Sequence, residues 1–173
     1  METFFNPLSV AIVGATEKPG SLPGIILKNL LSMGFKGKMY PVNPKYETVF
    51  GLNCFPSILD IPDEVALTVI AIPAPWVVDV LQQQAHKRIH HAIIISAGFR
   101  EKGAEGIEME ERIRRVAIEN DMRILGPNCL GVLDNYTNFT TSFLSWERVS
   151  IPKKGSLSIL SQSGAFAIAL LDL

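Results

Sequence analysis

Small residues stand between an apolar run and a helix-forming run at two places in this chain. That arrangement aims backbone N–H groups and a helix dipole at an anion. The first is Gly14-Ala15-Thr16-Glu17-Lys18-Pro19-Gly20, which follows Ser9 to Val13 and precedes Leu22 to Met33. Gly14 and Gly20 allow backbone and ligand to approach closely. The spacing departs from the G-x-G-x-x-G of nicotinamide sites, because Thr16 stands where the second glycine would be. The second place is Ser161-Gln162-Ser163-Gly164, between Leu157 to Leu160 and Ala165 to Leu173. There a helix cap by Ser163 accounts for the residues equally well.

A cation completes the set. Lys38 to Val42 ends at Asn43-Pro44-Lys45, with no carboxylate before Glu47. A nicotinamide site normally places a carboxylate at that point to hold the ribose hydroxyls, whereas a cation accommodates a ribose phosphate. Coenzyme A and NADP both carry one, and an exposed turn lysine fits as well. Cys129 has no motif-defined base beside it and reads as a small buried residue rather than a nucleophile. His86, His90 and His91 read as a solvated helix end, where cations are favourable. The charges from Glu105 to Arg115 read as a solvated helix face.

These residues are positioned by an alternation of apolar runs and helix-forming stretches. Strands are expected at Ser9–Val13, Lys38–Val42, Leu67–Ile72, Ala92–Ser96 and Arg123–Leu125, and helices at Leu22–Met33, Trp76–His86 and Glu105–Asn120. Gly34 stands in the favoured position after a helix C-terminus. Strands that are apolar throughout and separated by helices indicate an α/β fold, a Rossmann-like doubly wound parallel sheet covered on both faces. Ligands of such sheets bind outside the carboxyl ends of the strands. Those ends carry the Gly14–Gly20 loop, Asn43-Pro44-Lys45, Pro73-Ala74-Pro75, Ser96-Ala97-Gly98 and Gly126-Pro127-Asn128, all small or proline-rich, and together they indicate one shared cleft.

Composition narrows the function classes. The formal net charge of −1 argues against a general nucleic-acid binder. No apolar run reaches the length of a membrane span, and residues 1–7 lack the pattern of a signal peptide. Cys54 and Cys129 form neither a disulfide framework nor a metal site, so a reducing cytoplasm is expected. The final apolar run, Ala165 to Leu173, needs partners on nearly every side. The expectation is one complete domain followed by the opening of another.

The segments VAIVGATEKPG (10–20), YPVNPKY (40–46), IAIPAP (70–75), ISAGF (95–99), ILGPNCLG (124–131) and LSQSGA (160–165) resemble, in this order, those of the NDP-forming acyl-CoA synthetases. That family includes the succinyl-CoA synthetase alpha subunit and the ADP-forming acetate–CoA ligases, and the chain is most similar to the latter branch. The resemblance implies an acid–thiol ligase that interconverts acyl-CoA, ADP and phosphate with carboxylic acid, coenzyme A and ATP, through an acyl phosphate and a phosphohistidine. It implies a coenzyme A-binding Rossmann-like domain over residues 1–130, a linker over 131–155, and at 156–173 the first strand and helix of a flavodoxin-like domain.

By the same resemblance, Glu17, Lys18, Pro19 and Gly20, with Gly14 and Thr16, match the loop that holds coenzyme A phosphates. Lys45 matches a lysine at the nucleotide end. Pro73, Ala74, Pro75, Ile95, Ser96 and Ala97 match segments lining the cleft, and Asn128 matches a position near the thiol end. Ser161, Ser163 and Gly164 match a turn approaching the phosphoryl site. The family's first loop often carries a Gly-Ser-Gln-Gly tetrad, replaced here by Glu17-Lys18-Pro19-Gly20. Pro19 contributes no donor, which leaves the backbone N–H groups and Lys18 for the phosphates. The phosphorylated histidine is expected downstream of Leu173, and ATP, ADP and Mg in an ATP-grasp beta subunit or domain, within an oligomeric enzyme. The 173 residues alone are expected to be inactive. A coenzyme A-binding module of a protein acetyltransferase, a stand-alone coenzyme A-binding protein and an NADP-dependent oxidoreductase are the alternatives.

Overall fold

The computed structural model describes residues 1–146 and 151–171. Its centre is a parallel sheet of β1 (Ser9–Val13), β2 (Lys38–Val42), β5 (Leu67–Ile70), β6 (His91–Ile94) and β7 (Arg123–Leu125), in the order β2-β1-β5-β6-β7. Counting only these five strands in chain order, the sheet reads 2-1-3-4-5, so the winding reverses between β1 and β5. β1 is buried along its whole length, because it has a strand on either side and helices on both faces.

The period of two divides the strands between two cores. Ala11, Val13, Ile70, Ala92 and Ile94 face α2 (Val77–His86) and α3 (Ala104–Glu119). Val10, Ile12, Leu67, Val69 and Ile93 face α1 (Leu22–Met33), where Ile26, Leu27 and Leu30 are fully buried. α1 ends as expected at Gly34, which takes the left-handed conformation at φ 71°. A polar network crosses the first core. Thr68 Oγ1 donates to Gln84 Oε1 at 2.6 Å, and Gln84 Nε2 donates to the carbonyls of Ile89 and His91. The Thr68 hydroxyl and the Gln84 amide are thereby satisfied, the condition for burying them without penalty.

Several elements depart from the sequence expectations. The strand expected to reach Ile72 ends at Ile70, and the helix expected at Trp76 begins as a 3-10 turn over Ala74–Trp76. The crossover from β2 to β5 contains a hairpin of β3 (Thr48–Val49) and β4 (Leu52–Asn53), then a 3-10 turn at Ile58–Asp60 capped by Ser57. The segment expected as a linker carries a second hairpin, β8 (Leu133–Asp134) and β9 (Phe139–Thr140). Phe139 of that hairpin is fully buried, its ring centroid 5.1 Å from that of Phe35. Residues 147–150 of the expected linker and 172–173 of the expected last helix lie outside the described residues.

Leu157 to Leu160 was expected as a strand but is extended chain without strand pairing, and Leu160 is fully exposed. An apolar run becomes a strand only where a neighbour completes its hydrogen bonds, and no described strand lies alongside. The last helix, α4 (Gly164–Leu171), has no buried residue. No described helix is long and apolar enough to cross a membrane.

One side chain fastens the C-terminal hairpin to the sheet layer. Asn29 is buried in α1, and its Nδ2 donates to Ser142 O at 2.9 Å and Leu144 O at 2.8 Å. Replacing Asn29 by Ala leaves both carbonyls unpaired, which should destabilise the protein by about 2 kcal/mol. Urea unfolding measures the loss, and amide exchange should quicken first at residues 139–144.

Candidate functional site

The winding reversal between β1 and β5 opens a crevice at their carboxyl ends, and a cavity of about 350 Å³ occupies it. Three separate strand ends meet there, contributing Gly14, Lys45 and Pro73. Gly14 is what lets them meet. Its φ is 94°, and a Cβ at this position would stand 2.7 Å from Ala71 O and 2.8 Å from Ile72 Cγ2. Its N–H donates to Val42 O at 2.8 Å, so β1 stays paired with β2 to the mouth of the cavity.

Asn43 shapes the second strand end. Its Oδ1 accepts from Lys45 N at 3.0 Å, an Asx turn, and its Nδ2 donates to Ala15 O at 2.9 Å. Lys45 is thereby placed beside the first loop, at the rim of an otherwise mainly apolar cavity. Within that loop Thr16 is half-buried, and its Oγ1 accepts from Lys18 N and donates to Tyr46 Oη. Glu17, Lys18, Pro19 and Gly20 are exposed, and the space beside the Gly20 Cα is open.

The remaining expected positions divide into two groups. Ala74 is buried at the start of the 3-10 turn, while Pro75 is exposed. Ile95 is buried in the second core, which leaves only its backbone for a ligand. Ser96 is buried too, and its Oγ accepts from Ile72 N at 3.1 Å, joining the ends of β5 and β6. Ala97 is exposed. The adjacent Gly98 N–H donates to Glu101 Oε1 at 2.6 Å, a bond that holds the Glu101 carboxyl below the usual range. Asn128 adopts the left-handed region at φ 53°, and its N–H donates to Ser96 O at 2.9 Å.

The second small-residue turn lies apart from the cavity. Ser163 Oγ accepts from Phe166 N at 3.3 Å, an N-cap for α4, and Ser161 Oγ donates to Ser163 O at 3.0 Å. A Cβ on Gly164 would stand 3.1 Å from Leu130, so the turn starts against the loop that follows β7.

Sequence reasoning missed part of the cavity wall. Trp76, Val80 and Gln83 line it from α2 and the turn before it, recurring at i, i+4 and i+7. That stripe was readable as a helix face. Ser57 and Ile58 line it from the β2–β5 crossover, where no periodicity marks them. Gly24 was missed as well. A Cβ there would collide with Thr16 O, so this glycine allows α1 to pack against the first loop. A glycine inside a helix costs about 1 kcal/mol against alanine and therefore signals a packing need.

Cys129 is half-buried, its Sγ 3.5 Å from Ile94 O, and burial pushes its thiol pKa up, away from the thiolate a nucleophile needs. Among the described residues no three of His, Cys, Asp and Glu gather as a metal site. The histidines separate. His86 ends α2 and His90 is exposed, but His91 is the first residue of β6, not part of a helix end. Its ring meets Phe4 edge-on at 5.3 Å, and burial holds its pKa below the ordinary value. Folding therefore favours neutral His91, and the unfolded chain binds more protons as pH falls through the ordinary histidine value of about 6.5. Stability present above that pH should be lost below it. Melting temperatures between pH 7.5 and 5 should fall, and His91→Phe should fall less over the same range.

The coenzyme A-binding family model described as "CoA binding domain" matches residues 8–135. The ADP-forming acetate–CoA ligase II of Archaeoglobus fulgidus is 43% identical over 100% of this chain and 25% of its own length. The subunit alpha of the ADP-forming acetate–CoA ligase I of Pyrococcus furiosus is 40% identical over 99% of this chain and 37% of its own. Among solved structures, the dinucleotide-forming acetyl-coenzyme A synthetase 1 of Candidatus Korarchaeum cryptofilum, in complex with phosphate and ADP, superposes with a TM-score of 0.83. It is 38% identical, over 98% of this chain and 35% of that one. The chain thus spans between a quarter and two fifths of the length of these relatives.

Proposed function

Because this chain belongs to the CoA binding domain family, we propose that it is the coenzyme A-binding portion of an ADP-forming acyl-CoA synthetase, an acid–thiol ligase. The observation that carries this reading is the cavity at the β1–β5 reversal, where Gly14, Lys45 and Pro73 converge beside the glycine-containing first loop. Its chemistry suits the nucleotide end of coenzyme A. The apolar walls from Ile58, Ile72 and Trp76 suit a purine face, and Ser57 and Gln83 offer polar groups to its edge. Lys45 suits the ribose phosphate at the rim. The open loop through Gly20, leading into α1, suits the pyrophosphate. The acyl-bearing arm would then run along the strand ends past Ser96 toward Asn128.

Bound coenzyme A supplies the thiol that accepts the acyl group. The residues of this chain bind and orient it, keeping the nucleotide in the crevice while the thiol end reaches the chemistry. The turn at Ser161, Ser163 and Gly164 is the place where a phosphorylated histidine from outside this chain would approach. ATP or ADP and Mg belong to an ATP-grasp portion, and the alpha-subunit relative in Pyrococcus furiosus supports a separate partner for it. Two free cysteines suit a cytoplasmic setting.

Calorimetric titration tests the reading. Coenzyme A should bind more tightly than dephospho-coenzyme A, and NADP should give no heat. Lys45→Ala should weaken coenzyme A by about tenfold, the loss of one charge-assisted contact. The dephospho form should be nearly unaffected. Equal binding of the two ligands by the unaltered protein would overturn the placement of the ribose phosphate at Lys45. Absence of binding by either would overturn the function.

A further inference from the structure

Three hydrogen bonds join the first loop to the segment that carries Lys45. Asn43 Nδ2 donates to Ala15 O at 2.9 Å, Thr16 Oγ1 donates to Tyr46 Oη at 3.2 Å, and Phe50 N–H donates to Glu17 Oε1 at 2.5 Å. The third is unexpected in two ways. Glu17 places a negative charge in a loop proposed to hold phosphates, where it would repel them if left free. Its partner also has a costly backbone. Phe50 and Gly51 are the two residues between β3 and β4, at φ 49° and 74°. Two positive φ values in a two-residue hairpin mark a turn that favours Asn, Asp or Gly at its first position. A bulky aromatic there is uncommon.

Two contacts hold that turn. The Phe50 side chain packs against the second core, and the Phe50 N–H is taken by the Glu17 carboxylate. The hairpin is coupled in turn to the Lys45 strand end. Cys54 N donates to Glu47 O at 2.8 Å and Asn43 N to Phe55 O at 2.9 Å. A second hollow, bounded by Lys45, Tyr46, Glu47, Asn53 and Phe55, lies between hairpin and strand end. The hairpin's position therefore sets the wall beside which the Lys45 side chain stands.

We propose that Glu17 is a positioning residue. Its carboxylate latches the β3–β4 hairpin to the first loop and so holds Lys45 at the distance from the loop that a ligand with both pyrophosphate and ribose phosphate requires. The latch also occupies the carboxylate with a backbone donor. This rests on the coenzyme A reading and deepens it, because it makes discrimination for the ribose phosphate depend on a residue that need not touch that phosphate. The acid in the loop then has a structural task, and its bonded oxygen is turned to the hairpin donor.

The test is the ratio of affinities for coenzyme A and dephospho-coenzyme A, measured on the unaltered protein, Glu17→Ala, Glu17→Gln, Lys45→Ala and the Glu17→Ala/Lys45→Ala double variant. Glu17 is exposed, so its variants should melt within a few degrees of the parent. Glu17→Ala should shrink the ratio by roughly threefold or more through lost preorganisation. Glu17→Gln, whose amide oxygen still accepts from Phe50 N–H, should restore it. In the Lys45→Ala background, Glu17→Ala should leave the ratio unchanged, since nothing remains for the latch to position. An unchanged or larger ratio in Glu17→Ala, or additive effects in the double variant, would overturn the proposal while leaving the coenzyme A reading intact. Failure of the unaltered protein to bind either ligand would instead overturn the coenzyme A reading, and the positioning role with it.

Discussion

The arrangement depends on one close approach, that of the Gly14 backbone to the carbonyl of Ala71. β1 lies between β2 and β5, and the chain leaves the ends of β1 and β5 toward opposite faces of the sheet. A crevice opens at such a reversal only if the strand ends stay together up to its floor. Gly14 meets that demand by having no side chain and a positive φ, while its N–H remains bonded to Val42. Gly24 makes a related allowance one element later, where α1 comes against Thr16 O. A methyl group at Gly14 would push apart the strand ends that floor the cavity, and one at Gly24 would push α1 away from the first loop.

Around that floor the loops are held by side chains that bond to backbone rather than to each other's charges. Asn43 spans from Lys45 N to Ala15 O, Ser96 bonds Ile72 N, and Glu101 takes Gly98 N. Such bonds fix loop shape at modest net energy, about 1 kcal/mol each. They leave the cation at the rim, Lys45, as the feature best suited to select a charged ligand. In the proposed coenzyme A site the apolar lining would take the base and the cationic rim the phosphate.

The strand alternation was readable because both faces of the sheet are covered, which makes β1, β5 and β6 apolar but for Ser9, Thr68 and His91. α1 was readable to its ends because Gly34 terminates it by a local rule. The short hairpins were not readable. β3, β4, β8 and β9 are two residues each, too short for any period, and they exist because of what they pack on. Phe139 looks like any exposed aromatic in a polar stretch until Phe35 and the Asn29 amide bring its segment against α1. Leu157 to Leu160 shows the converse. Its strand-like composition found no strand to pair with among the described residues, so pattern alone did not make structure.

The sequence by itself determined the α/β alternation, the glycine-containing loop after β1, the lysine after β2 and the ordered segments that resemble those of acyl-CoA synthetases, because each of these is a local pattern of residue types. Tertiary structure alone decided that Trp76 and Gln83 share a cavity with Ser57 and Lys45, and that Glu17 bonds to a hairpin rather than to solvent. The physical reason is the sheet order. Strands distant in the chain become neighbours only when β5 pairs with β1, and no local propensity encodes that pairing.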